Sequence, residues 1–409
     1  MAFCHASVAL LCINVMFDLF AYGVPLFLLQ HLGIISSELF YRLTSMVINW
    51  TTPIVYGIPM VFSGTRIFSN NIDLLLESKS RDALLLSNHG SRIDWMVAMF
   101  IGHLKVVDNR VGVSCRVGFV CEALIQFMPL IGWYRKIICD DIFVWRSFDK
   151  DAPTIKGNIK SFHQASQQRM LFLSPEGVVV DHDAKDMEYI KACQKFAKAN
   201  DFKPFEYVLT PRYKGTSCLL DQVSKGGPLV SICLAFVRNG KLLNCKLVSP
   251  KRVVPDIYDL NQGIAGSSIS IYIHLRRIDI VPGTPFDAKA VLMADYELKN
   301  SVLAEWETRL ANNEDTRWKA EFFEANGCKK EIMFNHLAHA FIIVVTTMVF
   351  GYQTQILKIF FGVFCCVAST HTFGWMVNET SMESVPFETG IKAAITFISN
   401  AKVKVSSKN

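Results

Sequence analysis

The stretch ALLLSNHGSRIDWM, residues 83–96, decides how the middle of the chain folds. Its apolar start has the length and composition of a core strand, and the Asn-His-Gly that follows is typical of a turn. Gly90 gives the backbone freedom at this junction, and Ser91 suits the N-cap of a helix. The next residues, RIDWMVAMFIG (92–102), continue as that helix. The stretch therefore predicts a strand, a turn and a helix in succession.

The spacing of His89 and Asp94 suggests a chemical role for the turn. Positions five apart on a continuous helix lie about 140° apart in projection, so the two side chains would not meet there. They meet if His89 lies in the turn and Asp94 lies in the first turn of the helix. A histidine with one ring nitrogen fixed by a carboxylate is a general base. From the spacing alone, a pair that merely caps the helix explains the pattern at least as well.

Further strand-like and helix-like runs extend this pattern over the centre of the chain. Their alternation predicts an α/β domain. The strand-like runs are 83–87, 142–146, 170–174, 206–210, 229–236 and 269–275, and the helix-like runs are 92–104, 154–168 and 186–200. Residues 301–327 form a predicted amphipathic helix, in which Leu303, Trp306 and Leu310 recur at helical spacing and suit core packing.

Long apolar stretches flank this domain on both sides. A membrane span takes about 20 apolar residues, and the stretches 7–35 and 41–62 are long enough for a membrane hairpin or a re-entrant pair. Residues 337–369 form a further apolar block. The sequence therefore predicts three regions, which are N-terminal membrane segments (1–65), a catalytic domain (66–330), and C-terminal membrane segments with a tail (331–409).

The composition of the chain agrees with a membrane protein. Of 409 residues, 51% are hydrophobic and 19% are charged, against about 25% charged in a soluble domain. The net charge of +6 is too small for a nucleic-acid-binding protein and suits an anionic membrane surface or anionic substrates. The 12 cysteines contain no Cys-x-x-Cys pair, so we expect buried thiols in a reducing compartment and no metal site. Most Lys and Arg residues lie in 66–330, which the positive-inside rule puts in the cytosol.

Four further motifs follow the opening stretch in order. They are PLIGWYRK (129–136), FVWRSFDKD (143–151), SPEGVVVD (174–181) and EYVLTPRYKG (206–215). Residues just beyond strand ends in an α/β sheet converge on one crevice. His89, Glu176 and Arg212 each follow a predicted strand, and Arg146 lies at the end of another. The motifs therefore predict one site at one edge of the sheet.

This ordered set, His-x4-Asp, an Arg block, Pro-Glu-Gly and a Pro-containing block, resembles the motifs of the glycerolipid acyltransferases. The resemblance covers roughly residues 80–330, and it is nearest to the branch of lysocardiolipin, lysophosphatidylinositol and 1-acylglycerol-3-phosphate acyltransferases. It implies a mixed sheet flanked by helices, with an N-terminal membrane hairpin and C-terminal membrane segments. It also implies a multi-pass protein of the endoplasmic reticulum membrane, with the lipid bilayer as a partner and no nucleic acid.

The resemblance implies transfer of a fatty acyl group from acyl-CoA, as co-substrate, to a hydroxyl of a lysophospholipid, with no cofactor. It makes His89 the general base and Asp94 its orienting partner, and backbone N–H groups near the turn are candidate oxyanion donors. The predicted substrate-binding residues are Arg146, Glu176 and Gly177 for the glycerol-phosphate part, Pro211 for the acyl-CoA or acceptor channel, and Arg92, which either assists phosphate binding or is simply solvated.

Two departures from the family pattern leave a second hypothesis open. Val178 stands where the family commonly has Thr or Ser, and Gly90 and Ser91 replace bulkier residues. A catalytically weak scaffold that binds lipid or acyl-CoA is the alternative; Val178 favours it, whereas His89 and Asp94 favour the enzyme. A transporter is disfavoured because long apolar segments are too few. The branch favours a lysophosphoinositide or lysocardiolipin acceptor over lysophosphatidic acid, and the sequence predicts neither acyl length nor sn position.

Overall fold

A computed structural model gives the structure of most of the chain up to residue 312. The residues that it describes are 12–56, 60, 63–71, 74, 83–103, 116–164, 169–181, 183–200, 202–223, 228–261, 268–279, 287–312, 323–324 and 337. The predicted C-terminal membrane segments lie outside these residues, apart from Leu337. The three-region division of the chain stays a prediction.

The core is a mixed sheet of nine strands among the described residues. The strands are β1 (Arg66–Ser69), β2 (Ala83–Ser87), β3 (Arg116–Glu122), β4 (Ile142–Val144), β5 (Arg169–Leu173), β6 (Leu229–Arg238), β7 (Lys241–Leu242), β8 (Ser270–Ile278) and β9 (Phe323–Glu324). Their order is β4-β3-β5-β2-β6-β8-β1-β9, with β7 on β6. The strands from β4 to β6 in that order are parallel, whereas β8 runs antiparallel to β6.

Helices cover both faces of this sheet. They are α1 (Cys12–His31), α2 (Ser37–Tyr56), α3 (Asp94–His103), α4 (Ile131–Tyr134), α5 (Phe148–Gln164), α6 (Ala184–Ala199), α7 (Tyr213–Val223), α8 (Ile257–Asn261) and α9 (Ala288–Ala311). A 3-10 helix, Ala123–Phe127, follows β3, and a π-helical turn, Arg135–Cys139, continues α4. The predicted α/β class, with a mixed sheet flanked by helices, is confirmed.

The leucine run of β2 is continuous because both faces of this strand are buried. β2 lies between β5 and β6 and is parallel to both. Leu85 packs in the cluster that includes Met96 of α3, whereas Leu84 and Leu86 pack on the other face with α5 and α7. All three leucines are fully buried. A parallel strand covered on both faces reads as an unbroken apolar run, which is what the sequence presents.

The predicted strand at 206–210 is wrong. This segment has no regular secondary structure, although Tyr207, Val208 and Leu209 are buried. Its backbone N–H groups donate to side chains instead of a neighbouring strand, since those of Glu206 and Tyr207 both reach Asn300 Oδ1, at 2.8 and 2.9 Å. Strand-like composition reflects burial as much as backbone pairing, so a buried loop presents the same pattern.

The predicted helix over 301–327 is wrong in its bounds. α9 begins at Ala288 and ends at Ala311, and residues 323–324 form β9, which pairs with β1. The expected core packing of its apolar residues is confirmed, since Leu303 and Trp306 are buried and Leu310 packs beside them. Four strands, β1, β3, β7 and β9, are not among the predicted strands. The strand predicted at 142–146 stops at Val144.

The two N-terminal helices pack against each other and against the α/β domain. Asp18, within the apolar α1, is buried and accepts a hydrogen bond from the Thr51 hydroxyl of α2. Among the described residues, α1 alone is long and apolar enough to cross a membrane, a test of length and composition that a buried core helix also passes. The predicted membrane hairpin therefore stays a prediction.

Candidate active site

The strand, turn and helix of the opening stretch bring His89 and Asp94 together. His89 lies in the turn after β2, and Asp94 is the first residue of α3. His89 Nδ1 lies 2.9 Å from Asp94 Oδ2. The Asp94 side chain is only 2% exposed, whereas that of His89 is 25% exposed and reaches the cavity described below. The pair therefore presents an imidazole to solvent and buries the carboxylate that orients it.

Several donors fix the Asp94 carboxylate. Oδ2 also accepts from the backbone N–H of Gly90, at 3.0 Å, and of Ser91, at 3.3 Å, and Oδ1 accepts from the Ser91 hydroxyl. The carboxylate lies at the N-terminus of α3, where the helix dipole favours negative charge. With Nδ1–H donating to Asp94, Nε2 of His89 carries the lone pair that a general base needs.

The expectation that backbone N–H groups at this turn stabilise an oxyanion is wrong for residues 89–93. The amides of Gly90 and Ser91 donate to Asp94, and that of His89 donates to Glu176 Oε1, at 3.0 Å. Those of Arg92 and Ile93 donate to Pro255 O and Ser91 Oγ. The turn uses its donors to hold its own shape, and a developing oxyanion needs donors from elsewhere.

Glu176 lies directly behind the turn, just beyond β5. It is buried, and its two oxygens accept from the backbone N–H groups of His89 and Leu209, the latter at 3.4 Å. Burial raises the pKa of the Glu176 carboxyl to about 7, although both N–H donors act in the opposite direction. Glu176 thus joins the β2 turn to the loop over 202–212. Its predicted contact with a glycerol-phosphate group stays a prediction.

Arg146 and Gly177 contact each other, and both line the cavity. Arg146 Nη2 donates to Gly177 O, at 2.9 Å, and to Glu122 Oε2, at 3.1 Å. Both residues have left-handed backbones, with φ of 61° for Arg146 and 74° for Gly177. That conformation costs roughly 1–2 kcal/mol in a non-glycine residue, and such strain tends to persist where the surroundings hold it. The sequence predicted both residues for one site, and the structure brings them together.

The loop that contains Pro211 lies against the Pro-Glu-Gly turn after β5, although this loop does not follow a strand. The Arg212 amide donates to Pro175 O, at 2.8 Å, and the Arg212 guanidinium donates to the Tyr189 hydroxyl of α6, also at 2.8 Å. Pro211 and Arg212 both line the cavity. Sequence reasoning missed Tyr189, since a lone tyrosine in a helix carries no signal of a partner in another segment.

Arg92 is neither solvated nor remote from the site. Its side chain is 13% exposed, and Nη2 lies 3.4 Å from Asp181 Oδ2, at the end of the Pro-Glu-Gly block. The solvated alternative is therefore wrong. Arg92 lines the cavity beside His89, and its role with phosphate stays a prediction.

A cavity of about 1350 Å³ is lined by His89, Arg92, Arg146, Gly177 and Pro211, whereas Glu176 is not one of its lining residues. Its polar part carries His89, Arg92 and Arg146, and further cations line it, namely Lys185, Arg212 and Lys214. Its apolar lining includes Met99, Phe119 and Val15 of α1. Val178, at the departure from the family pattern, lines the cavity and packs in the apolar cluster of Val180 and Ile190. Over the described ranges, no three His, Cys, Asp or Glu side chains lie together as metal ligands would.

Proteins similar to this chain include 1-acyl-sn-glycerol-3-phosphate acyltransferases and lysocardiolipin acyltransferases. The probable 1-acyl-sn-glycerol-3-phosphate acyltransferase 5 of Arabidopsis thaliana is 27% identical over 227 residues, which are 54% of this chain and 52% of that protein. The 1-acyl-sn-glycerol-3-phosphate acyltransferase epsilon of Mus musculus is 25% identical over 56% of this chain and 60% of its own. Lysocardiolipin acyltransferase 1 of Danio rerio is 24% identical over 37% and 36%.

These relatives confirm the resemblance read from the motifs. No family model matches the chain. The chain spans between about a third and three fifths of the length of these three relatives, so the similarity concerns a part of each protein.

Proposed function

We propose that this protein is an acyl-CoA-dependent O-acyltransferase that acylates a glycerol hydroxyl of a lysophospholipid. The observation that carries the proposal is the oriented His89–Asp94 pair in the wall of a large, partly apolar cavity. The names of the relatives support acyltransfer as the reaction class.

In this reaction His89 acts as the general base. Nε2 takes the proton of the acceptor hydroxyl as its oxygen attacks the thioester carbonyl, and Asp94 stabilises the imidazolium that forms. The tetrahedral intermediate then collapses. Its C–S bond breaks, CoA leaves as thiolate, and the proton passes from His89 to the sulfur. The enzyme forms no covalent intermediate, and the donors that fix Asp94 keep the pair oriented throughout.

The lining of the cavity suits both substrates. Arg146 and Arg212 provide guanidinium groups for the phosphates of a lysophospholipid or of CoA, and arginine pairs with phosphate at two points. These cations also replace the turn amides as candidates to stabilise the oxyanion. The apolar lining, which includes Met99, Phe119 and Val15, suits an acyl chain. Candidate acceptors are lysophosphatidylinositol, lysocardiolipin and lysophosphatidic acid, and the last two agree with the names of relatives.

The proposed location is the endoplasmic reticulum membrane, with several membrane segments and the catalytic domain in the cytosol. The apolar helix α1 supports the membrane part of this proposal, because Val15 of that helix lines the cavity. A lysolipid could then enter from the bilayer without crossing water.

The alternative is a catalytically weak scaffold that binds lipid or acyl-CoA, and it rests on Val178. In the structure Val178 packs with apolar neighbours, so its methyl groups have partners whether or not the protein is active. The oriented His89–Asp94 pair favours the enzyme.

The test is acyl transfer from labelled oleoyl-CoA and stearoyl-CoA to a panel of lysophospholipids in purified membranes. We expect transfer to one or two acceptors, and a loss of roughly 10²–10⁴-fold in His89→Ala. His31→Ala, at the exposed end of α1, is the matched control and should retain full transfer. If folded wild-type protein transfers no more label than His89→Ala with every acceptor, the catalytic proposal fails and the scaffold remains.

A further inference from the structure

Two buried amide side chains hold the turn that carries His89. The Asn88 side chain makes two hydrogen bonds to the backbone of Leu234 in β6. Asn88 Oδ1 accepts from the Leu234 N–H, at 2.7 Å, and Asn88 Nδ2 donates to the Leu234 carbonyl, at 3.0 Å. Asn244, which follows β7, donates from Nδ2 to the same carbonyl, at 2.9 Å, and accepts from Phe236 N–H, at 3.0 Å. The two amides therefore meet at one carbonyl, directly below the turn.

Asn244 occupies the space that a side chain at residue 90 would need. A Cβ added to Gly90 would lie 2.7 Å from Asn244 Nδ2, closer than real Cβ contacts allow. Gly90 does not have a left-handed backbone, in contrast to Gly177. An ordinary residue could therefore adopt the conformation of Gly90. The neighbour, and not the backbone, requires glycine at this position.

One hydrogen bond links Gly90 to the His89–Asp94 pair, so a side chain at residue 90 that clashes with Asn244 would disturb the pair. Gly90 N–H donates to Asp94 Oδ2, the same oxygen that contacts His89 Nδ1. A shift of the Gly90 backbone therefore moves a donor of Asp94 and changes how the carboxylate meets the imidazole. Asn244 itself is buried and does not line the cavity, so it acts through the turn and not on substrate.

We propose that Asn244 is a positioning residue for the general base, with its amide in the place of a side chain at residue 90. The inference rests on the proposed function, because positioning matters only if His89 works as a base. It also accounts for the departure noted at Gly90, where the resembling family has bulkier residues. Gly90 and Asn244 then form one unit, because a larger side chain at residue 90 requires a smaller side chain at residue 244.

A double-mutant cycle tests this unit. The variants are Gly90→Ala, Asn244→Ala and the two combined, with kcat and KM of acyl transfer and the thermal unfolding midpoint measured for each. Gly90→Ala should lower kcat roughly tenfold or more, as expected for a general base moved out of line, and leave both KM values within about twofold. In the Asn244→Ala background the same substitution should change kcat less than about twofold, because the new methyl group enters vacated space.

Two controls separate positioning from a general loss of structure. Gly157→Ala adds a methyl group in open space on α5, so it should leave kcat unchanged and raise the unfolding midpoint slightly, because Ala is favoured over Gly inside a helix. Asn244→Ser replaces Asn244→Ala if the latter fails to fold, because its hydroxyl still offers a hydrogen bond. The NMR resonance of the His89 Nδ1 proton, in histidine-labelled protein, should move in Gly90→Ala and return towards its wild-type position in the double variant.

The outcomes distinguish the two claims. If wild-type protein transfers no more acyl group than His89→Ala, the proposed function fails, and with it the positioning role. If wild-type protein is active but Gly90→Ala lowers kcat equally in both backgrounds, the positioning role alone fails. An unchanged Nδ1 proton resonance in Gly90→Ala would overturn it as well.

Discussion

Glu176 Oε1 accepts a hydrogen bond from the backbone N–H of His89, at 3.0 Å, so a buried carboxylate holds the residue whose imidazole the cavity exposes. The other oxygen of Glu176 holds Leu209 N–H, in the loop that carries Pro211. One side chain thus connects the turns that follow two adjacent strands, β2 and β5, with a loop of no regular structure. The geometry gives Glu176 a positioning role, whatever its contact with substrate.

Glu176→Gln should weaken both connections. A glutamine offers one acceptor oxygen and one NH2 group, so one of the two backbone N–H groups loses its acceptor. An unsatisfied buried donor costs about 1–3 kcal/mol. We expect a lower unfolding midpoint and a lower kcat of acyl transfer. Glu297→Gln, on the exposed face of α9, is the control and should change neither quantity. A Glu176→Gln variant with wild-type kcat would remove Glu176 from the site.

The pKa of Glu176 predicts how stability depends on pH. Burial raises the carboxyl pKa to about 7 from its ordinary value of 4.5. Between these values the folded protein keeps a proton that the unfolded chain has released, so the free energy of unfolding falls as pH rises through this window. The unfolding midpoint should therefore be higher near pH 5 than near pH 8. In Glu176→Gln this part of the pH dependence should disappear, and equal slopes in the two proteins would contradict the assignment.

Arg146→Gln should impair substrate binding more than stability. The guanidinium is partly exposed, and its ion pair with Glu122 is of the kind that contributes about 0–1 kcal/mol to stability. A charge-assisted hydrogen bond to phosphate is stronger, so KM should rise roughly tenfold for the substrate whose phosphate Arg146 binds, either the lysophospholipid or acyl-CoA. Arg309→Gln, in an exposed ion pair of α9, provides the control. A KM change in neither substrate would contradict a phosphate-binding role for Arg146.

Lys299 of α9 forms a hydrogen bond with the backbone of β2, and its replacement should destabilise the fold. Lys299 is 1% exposed, pairs with the buried Asp295, and donates to Leu86 O in β2, at 3.0 Å. Among the described residues, Lys299→Met leaves Asp295 paired with Arg276 alone, and breaking a buried pair costs about 3–5 kcal/mol. The unfolding midpoint should fall by many degrees. Lys246→Met breaks an exposed pair with Glu206 and should leave the midpoint unchanged.

The sequence predicts those parts of the site that local pattern encodes. The run from Leu84 to Asp94 is one strand, one turn and one helix start, and each step has a local physical cause. The convergence of His89 and Glu176 also follows from the sequence, because the carboxyl ends of parallel strands share an edge. The local sequence pattern does not predict the environment of Arg92 or of the 206–210 loop. Their hydrogen-bond partners, Asp181 and Asn300, lie about 90 residues away in the chain.

Long-range contacts explain the other differences from the sequence predictions. β1 pairs with β8, about 200 residues later, and a four-residue strand has too short a pattern to stand out. Asn244 lies beside Gly90 only because β6 and β7 return the chain to the turn. The amides of His89 and Arg92 donate to Glu176 and Pro255, which lie far along the chain, so no local spacing rule predicts these two hydrogen bonds.

The most direct measurement is CoA thiol release by the purified protein from acyl-CoA, with and without a lysophospholipid, in wild type and His89→Ala. If His89 activates the acceptor hydroxyl, thiol release depends on the acceptor and falls roughly 10²–10⁴-fold in the variant. Equal, acceptor-dependent release in both proteins would show that another group is the base. Release that no acceptor increases would contradict acyl transfer itself.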